Sequence, residues 1–174
     1  MLNPLFIFRQ NIPMKSKSAY LAERIRSVFL NGTFIANTNY KDQILHLDLK
    51  TALIKIAECN CIYELVYHVN YYIQGLNHFL KDGELTISDT FSFPTNLTPT
   101  EDEWEQLKHN FLAAVEVFAL RIEQLDQDIL TSTFVKKEYG DFERNIDGQI
   151  EHAYYHLGQI VLLKKIITSH NGVF

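Results

Sequence analysis

Asn145-Ile146-Asp147-Gly148-Gln149-Ile150-Glu151-His152-Ala153-Tyr154-Tyr155-His156-Leu157-Gly158-Gln159-Ile160-Val161-Leu162-Leu163-Lys164-Lys165-Ile166-Ile167-Thr168 decides the fold. Ile146, Ile150, Ala153, Leu157, Ile160 and Val161 recur at three- and four-residue steps, the spacing of one helical face. From His156, steps of four, seven and eleven reach Ile160, Leu163 and Ile167, a second apolar row. A helix apolar on two sides is covered on two sides, so it lies centrally among other helices. Its histidines are then partly buried, and a buried imidazole needs partners for its ring nitrogens. His152 and His156 stand one turn apart on one face, with Cβ atoms ~5–6 Å from each other. Two such rings can meet one ion at ~2.0–2.1 Å.

Three further stretches have helical spacing. The first runs from Lys17 to Leu30, with Tyr20, Leu21, Ile25, Val28 and Phe29 as its stripe and Asn31-Gly32 as its stop. The second runs from Cys61 to Lys81 behind Asn60 as its cap, and Asp82-Gly83 ends it. Ile62, Leu65, Val66, Val69, Ile73, Leu76 and Leu80 form its stripe, and His68 lies at the margin. The third opens at Thr98-Pro99-Thr100-Glu101, a capping-box pattern with proline at the first helical position. Its apolar positions run from Trp104 to Leu125.

Between the second and third stretches, residues 82–100 are helix-poor and carry Phe91, Phe93, Pro94 and Pro99. Extended at ~3.3 Å per residue, such a linker spans a whole bundle. The chain can then start its third helix parallel to the second, as a crossover rather than a hairpin. The expected fold is all-α: a four-helix bundle, up-down-down-up, with a long crossover between helices 2 and 3. Residues 17–174 form one domain behind an N-terminal extension at 1–16. Met14 is an alternative start, and the residues ahead of it are either a gene-model extension or a loosely packed segment. Residues 33–59 are the least defined by pattern, with Thr51 to Cys59 either a short helix or irregular.

The composition narrows the function classes. The 174 residues are 47% hydrophobic and 21% charged, ordinary for a globular chain that buries a sizeable core. The net charge of −5, with no lysine or arginine cluster, argues against a duplex nucleic-acid binder. No apolar run reaches the ~18–20 residues that cross a bilayer, so no membrane partner is expected. Cys59 and Cys61 are the only cysteines, spaced too closely for an easy disulfide, which fits a reduced, cytoplasmic protein.

The other histidines, His46, His78, His109 and His170, have no partner spacing and read as surface or boundary residues. His78 sits ~15 Å further along the helix from His68 and cannot share an ion with it. Gly158 costs ~1 kcal/mol inside a helix, tolerable if a neighbouring backbone comes close there. Glu64, one turn before His68, is the better placed acid for a catalytic base or a supporting partner. Glu151 points ~100° away from His152.

Glu64-Leu65-Val66-Tyr67-His68 on a helix, followed later by His152-Ala153-Tyr154-Tyr155-His156-Leu157-Gly158-Gln159, resembles the DinB/YfiT-like superfamily of metalloenzymes. With Tyr139-Gly140 and Arg144-Asn145-Ile146, the pattern is similar to an uncharacterised branch of it. The resemblance covers most of the chain from about Lys17. It implies the four-helix bundle in up-down-down-up order and a homodimer. It implies one divalent metal ion (nickel, zinc or iron) held by His68, His152 and His156. It implies thiol-dependent S-transfer, from a low-molecular-weight thiol such as bacillithiol or mycothiol to an electrophile. Metal-assisted hydrolysis would use the same site with water as nucleophile. The alternative is a non-catalytic helical binding or stress-response protein whose metal is structural or absent.

Overall fold

The structure, a computed structural model, describes residues 15–95 and 97–171, with the side chains of residues 170 and 171 left out. The expected extension at 1–16 falls almost wholly outside the described residues. The described chain is all-α: seven helices and no strands. Four helices are long. They are α1 (Lys17–Arg26), α4 (Ile62–Asp82), α5 (Glu101–Glu123) and α7 (Phe142–Asn171). Short helices α2 (Tyr40–Ile44), α3 (Leu49–Ala52) and α6 (Gln127–Leu130) lie in the connections. Helix α5 packs on α1 and α4, and α7 packs on α4 and α1. Among the described residues no helix is long and apolar enough to cross a membrane.

Local chemistry sets the helix ends. Helix α1 starts behind Ser16, whose side chain accepts from the Ala19 N–H, and continues as a π turn over Ser27–Asn31. Its buried face is Ser18, Leu21, Ala22 and Ile25, followed by Val28 and Phe29. Tyr20, expected in that stripe, is instead half exposed. Helix α4 starts one residue later than expected, with Cys61 rather than Asn60 as cap. The Glu64 carboxylate turns back to accept the Cys61 N–H at 2.7 Å. It ends at Gly83, whose φ of 79° is the left-handed conformation that glycine adopts without a Cβ clash.

The capping box of α5 is shifted by two residues from the expected one. Thr100 caps the helix and Glu103 answers it, accepting the Thr100 N–H at 2.7 Å. Pro99 therefore precedes the cap rather than opening the helix. Thr98-x-x-Glu101 and Thr100-x-x-Glu103 both match the pattern, and only geometry separates them. Helix α7 begins three residues before Asn145, because the Asp141 carboxylate accepts the Arg144 N–H.

The segment at 33–59 becomes ordered by anchoring to the long helices. Tyr40 is fully buried, and its hydroxyl donates to the Ala153 carbonyl of α7 at 2.9 Å. Tyr40, Phe29 and Phe111 form a ring cluster with centroids 4.9–5.6 Å apart. Trp104 donates to the Leu47 carbonyl at 2.7 Å. Lys108 reaches the Leu45 and Leu47 carbonyls, each at 3.2 Å. Each fully buried large apolar side chain stabilises by about 1.5–3 kcal/mol, enough to fix a segment with weak helical patterning of its own. Beyond Leu53 the segment is irregular, turning through Ala57 at φ 49° before it presents Glu58, Cys59 and Asn60 ahead of α4.

Candidate functional site

Helices α4 and α7 bring His68, His152 and His156 together. Their ligand atoms lie within 4.8 Å of one another. His152 Nε2 stands 3.1 Å from His68 Nε2 and 2.9 Å from His156 Nε2. His68 and His156 are each 7% exposed, and His152 is half-buried.

Protons alone satisfy this cluster poorly. His156 Nδ1 lies 2.6 Å from Gln159 Oε1, an oxygen that can only accept, so the ring proton sits on Nδ1. In the neutral ring Nε2 is then a bare lone pair. His152 Nε2 faces that lone pair on one side and His68 Nε2 on the other. One N–H cannot donate linearly to both, so at least one nitrogen is left without a proper partner. An added proton would help, yet the environment opposes it. Burial, followed by the neighbouring His156, pushes His68 down to about 4. Burial, then His156 and His68, pushes His152 down to about 4. Burial lowers His156 as well, against the bond to Gln159. Two nitrogens each ~2.1 Å from one ion and at right angles to it are about 3.0 Å apart, so the spacing suits a cation bound on one face.

Residues 88–93 of the linker lie against the cluster. Tyr71 and Tyr72 of α4 hold them: the Tyr71 hydroxyl accepts the Ser88 N–H at 2.9 Å, and the Tyr72 hydroxyl donates to Asp89. Burial, then Asp89, raises Tyr72 to about 12, so it stays protonated. Phe93 stacks on the His68 ring at 4.2 Å and 14°, whereas Phe91 is exposed. Tyr72 sets its ring edge-on to His68 and His152, at 5.0 and 5.2 Å. The Ser92 backbone acts to raise His68 slightly, yet His68 Nδ1 has no hydrogen-bond partner among the described residues.

Beside the cluster a cavity of about 550 Å³ opens to solvent. His68 and His156, but not His152, line it, together with apolar Leu65, Phe93, Leu162 and Leu163. Glu58, Cys59 and Asn60 line it from the loop ahead of α4. None of these loop residues, nor Phe93, carries a periodic signal: Asn60 stood out only as a helix cap, Cys59 as one of two cysteines and Phe93 as an aromatic in a long connection, and nothing marked Glu58.

The candidate acids lie apart from the ring nitrogens in their bonding. One Glu64 oxygen accepts from the Cys61 N–H and the other from Lys55 at 2.9 Å. Burial would raise its carboxyl, but those two donors outweigh it and the value is lowered. Glu64 thus serves as helix cap and ion pair, and its contacts do not reach the three rings. Glu151 is exposed and pairs with Arg144 at 3.1 Å. His46, His78 and His109 lie on the surface. Both cysteines are free; Cys59 is exposed, and burial raises the Cys61 thiol to about 11.

Gly158 makes no close backbone approach: a Cβ there would meet nothing within 4 Å. Gly158→Ala is therefore expected to stabilise the protein by about 0.5–1 kcal/mol through helix propensity. A melting temperature equal to or below that of the parent would contradict this.

The depressed rings also set an acid response. Between pH 6.5 and about 4 the unfolded chain protonates His68 and His152 while the folded metal-free protein resists. Stability is then full above pH 6.5 and falls as the pH drops towards 4, by at most about 1.4 kcal/mol per pH unit for each ring. Lowered carboxylates such as Glu64 and Glu103 add their losses only at more acidic values, through their own titration range. Thermal melts of chelator-treated protein check this, and a flat melting temperature from pH 6.5 to 5 would rule it out.

Fold and site together define a chain that is all-α over the described residues, with a three-histidine cluster two of whose rings, His68 and His156, line an open, largely apolar cavity. No family model, no curated protein and no solved structure matches the chain.

Proposed function

We propose that the chain is a metal-dependent enzyme of the DinB/YfiT-like type: a four-helix bundle in up-down-down-up order with one divalent ion on His68, His152 and His156. The single observation that carries this reading is the convergence of three neutral imidazoles whose Nε2 atoms lack enough protons to satisfy one another. Nickel, zinc or iron all accept imidazole nitrogen. When bound, the ion supplies a charge that makes a thiol or water acidic at neutral pH. The reaction is S-transfer from a low-molecular-weight thiol to an electrophile, or hydrolysis with water in the thiol's place.

The chain's own residues position and shield. Gln159 holds the His156 proton on Nδ1, leaving Nε2 for the ion. Phe93 and Tyr72 fix the His68 ring from two sides. Leu65, Leu162 and Leu163 keep one side of the cavity apolar. An open cavity beside three ligands favours catalysis over a closed structural site. The protein works as a cytoplasmic homodimer, in a reducing setting that keeps Cys59 and Cys61 as thiols, and with no nucleic-acid or membrane partner.

Elemental analysis of purified protein should find one divalent ion per chain, and metal-loaded protein should accelerate thiol consumption by an added electrophile. Metal without turnover would leave a non-catalytic binding protein; absence of metal after loading would remove the reading altogether. Gln159→Leu should weaken the metal about 10–100-fold while leaving all three ligands in place. Unchanged affinity by competition with a chelator would show that Gln159 does not orient the ring.

A further inference from the structure

We infer that, in the metal-free protein, the cavity takes a small ligand whose body is apolar and uncharged or cationic, in preference to one that carries an anionic group. The inference rests on the proposed function for the identity of the reacting end, but its own basis is the wall. Leu65, Phe93, Leu162 and Leu163 offer hydrocarbon, and Tyr155, Gln159 and Asn60 offer neutral polar groups. Among the described residues, the only formally charged side chain lining the cavity is Glu58, an acid. No lysine or arginine lines it among the described residues. Lys55, close by in sequence, is committed to Glu64 at 2.9 Å.

An anion that loses water against such a wall gains no partner, and an unpaired buried charge is costly. In the metal-free protein no cation among the described lining residues offsets a carboxylate or phosphate, which would meet only the apolar wall, neutral polar groups and the Glu58 acid. An ammonium group meets the opposite situation, with the Glu58 carboxylate and the rings of Phe93 and Tyr155 among the lining residues. In the metal-free protein the order of preference is therefore cation, then neutral, then anion.

Cys59 gives a readout independent of metal and turnover. It is exposed and lines the same cavity, whereas Cys61 is buried. An occupant should slow alkylation of Cys59 by N-ethylmaleimide, an uncharged reagent. The experiment uses full-length, chelator-treated protein with three probes of one shape: benzylamine, benzyl alcohol and benzoate. Benzylamine and benzyl alcohol are expected to slow labelling with apparent dissociation constants at least tenfold below that of benzoate. In Glu58→Lys the benzoate value should improve at least threefold and the benzylamine value should worsen. Equal or tighter protection by benzoate in the parent protein would overturn the inference, as would failure of all three probes to protect. Because no metal is present, these outcomes stand apart from the metal-content measurement. The inference can therefore fail with the metal site intact, and the reverse is equally distinguishable.

Discussion

Replacing His152 with alanine is expected to abolish metal binding and the stabilisation that comes with it. His152 is the middle ring: its Nε2 is the atom from which both other Nε2 distances, 3.1 and 2.9 Å, are measured. Without it, His68 and His156 remain as two ligands on different helices, with no third nitrogen between them. Loss of a ligand should exceed the roughly 10–100-fold effect of losing an outer partner such as Gln159. With metal at about a thousand times its dissociation constant, the parent protein gains about 4 kcal/mol. For a chain of this size that is roughly 8–16 °C in melting temperature. The variant should show no metal-dependent shift.

The metal-free variant separates this from damage to the fold. His152 is half-buried at the margin of the core, beside the rings of His68, Tyr72 and His156, and truncation loses those contacts but also removes the nitrogen that its two neighbours cannot both satisfy. Without metal, the variant should melt close to the parent at pH 7.5. Below pH 6 it should melt above the parent, because one resisted protonation is gone. Differential scanning calorimetry with and without zinc, at both pH values, reads all four states. A zinc-dependent rise in the variant equal to that of the parent would mean the metal binds elsewhere or not through these rings.

Much of the helical frame was legible in the sequence, because long amphipathic segments announce themselves by spacing. The stripes of the second and fourth stretches locate α4 and α7 to within a few residues. The ends were less legible. Two overlapping capping boxes compete before Trp104, and a short side chain such as Asp141 can start a helix before its apolar pattern begins. The His152/His156 pair was readable as two residues on one face, since helix geometry fixes it. The approach of His68 depends on how two helices pack, which no local spacing encodes. The residues at 33–59 were obscure for a related reason. Their order comes from anchors far away in sequence, such as Tyr40 on the Ala153 carbonyl and Leu47 beneath Trp104. The Glu64 reading shows the opposite case. Proximity in sequence suggested a role beside His68, but the carboxylate found nearer donors in the Cys61 N–H and Lys55.

Trp104→Ala is expected to be the most damaging single change in the core. Trp104 is fully buried, and its ring lies 5.7 Å from Tyr63 with Lys108 Nζ 5.2 Å from its centre. Truncation removes the ring and leaves a cavity, at a cost of about 3–5 kcal/mol. The lost hydrogen bond adds little, because the Leu47 carbonyl keeps Lys108 as a second donor. Lys108 itself, 3% exposed, loses the aromatic face but retains two carbonyls and Glu105. The cavity term therefore decides the outcome, and the melting temperature should fall by roughly 10–15 °C. Trp104→Phe keeps most of the apolar contact and should lose less than half of that. A fall below about 4 °C for the alanine variant would mean the short helices α2 and α3 do not depend on this anchor. Trp104 touches none of the three histidines, so zinc affinity measured well below the melting transition should stay within about threefold of the parent. A larger loss would instead show that the packing between α5 and residues 45–47 is coupled to the site across α4.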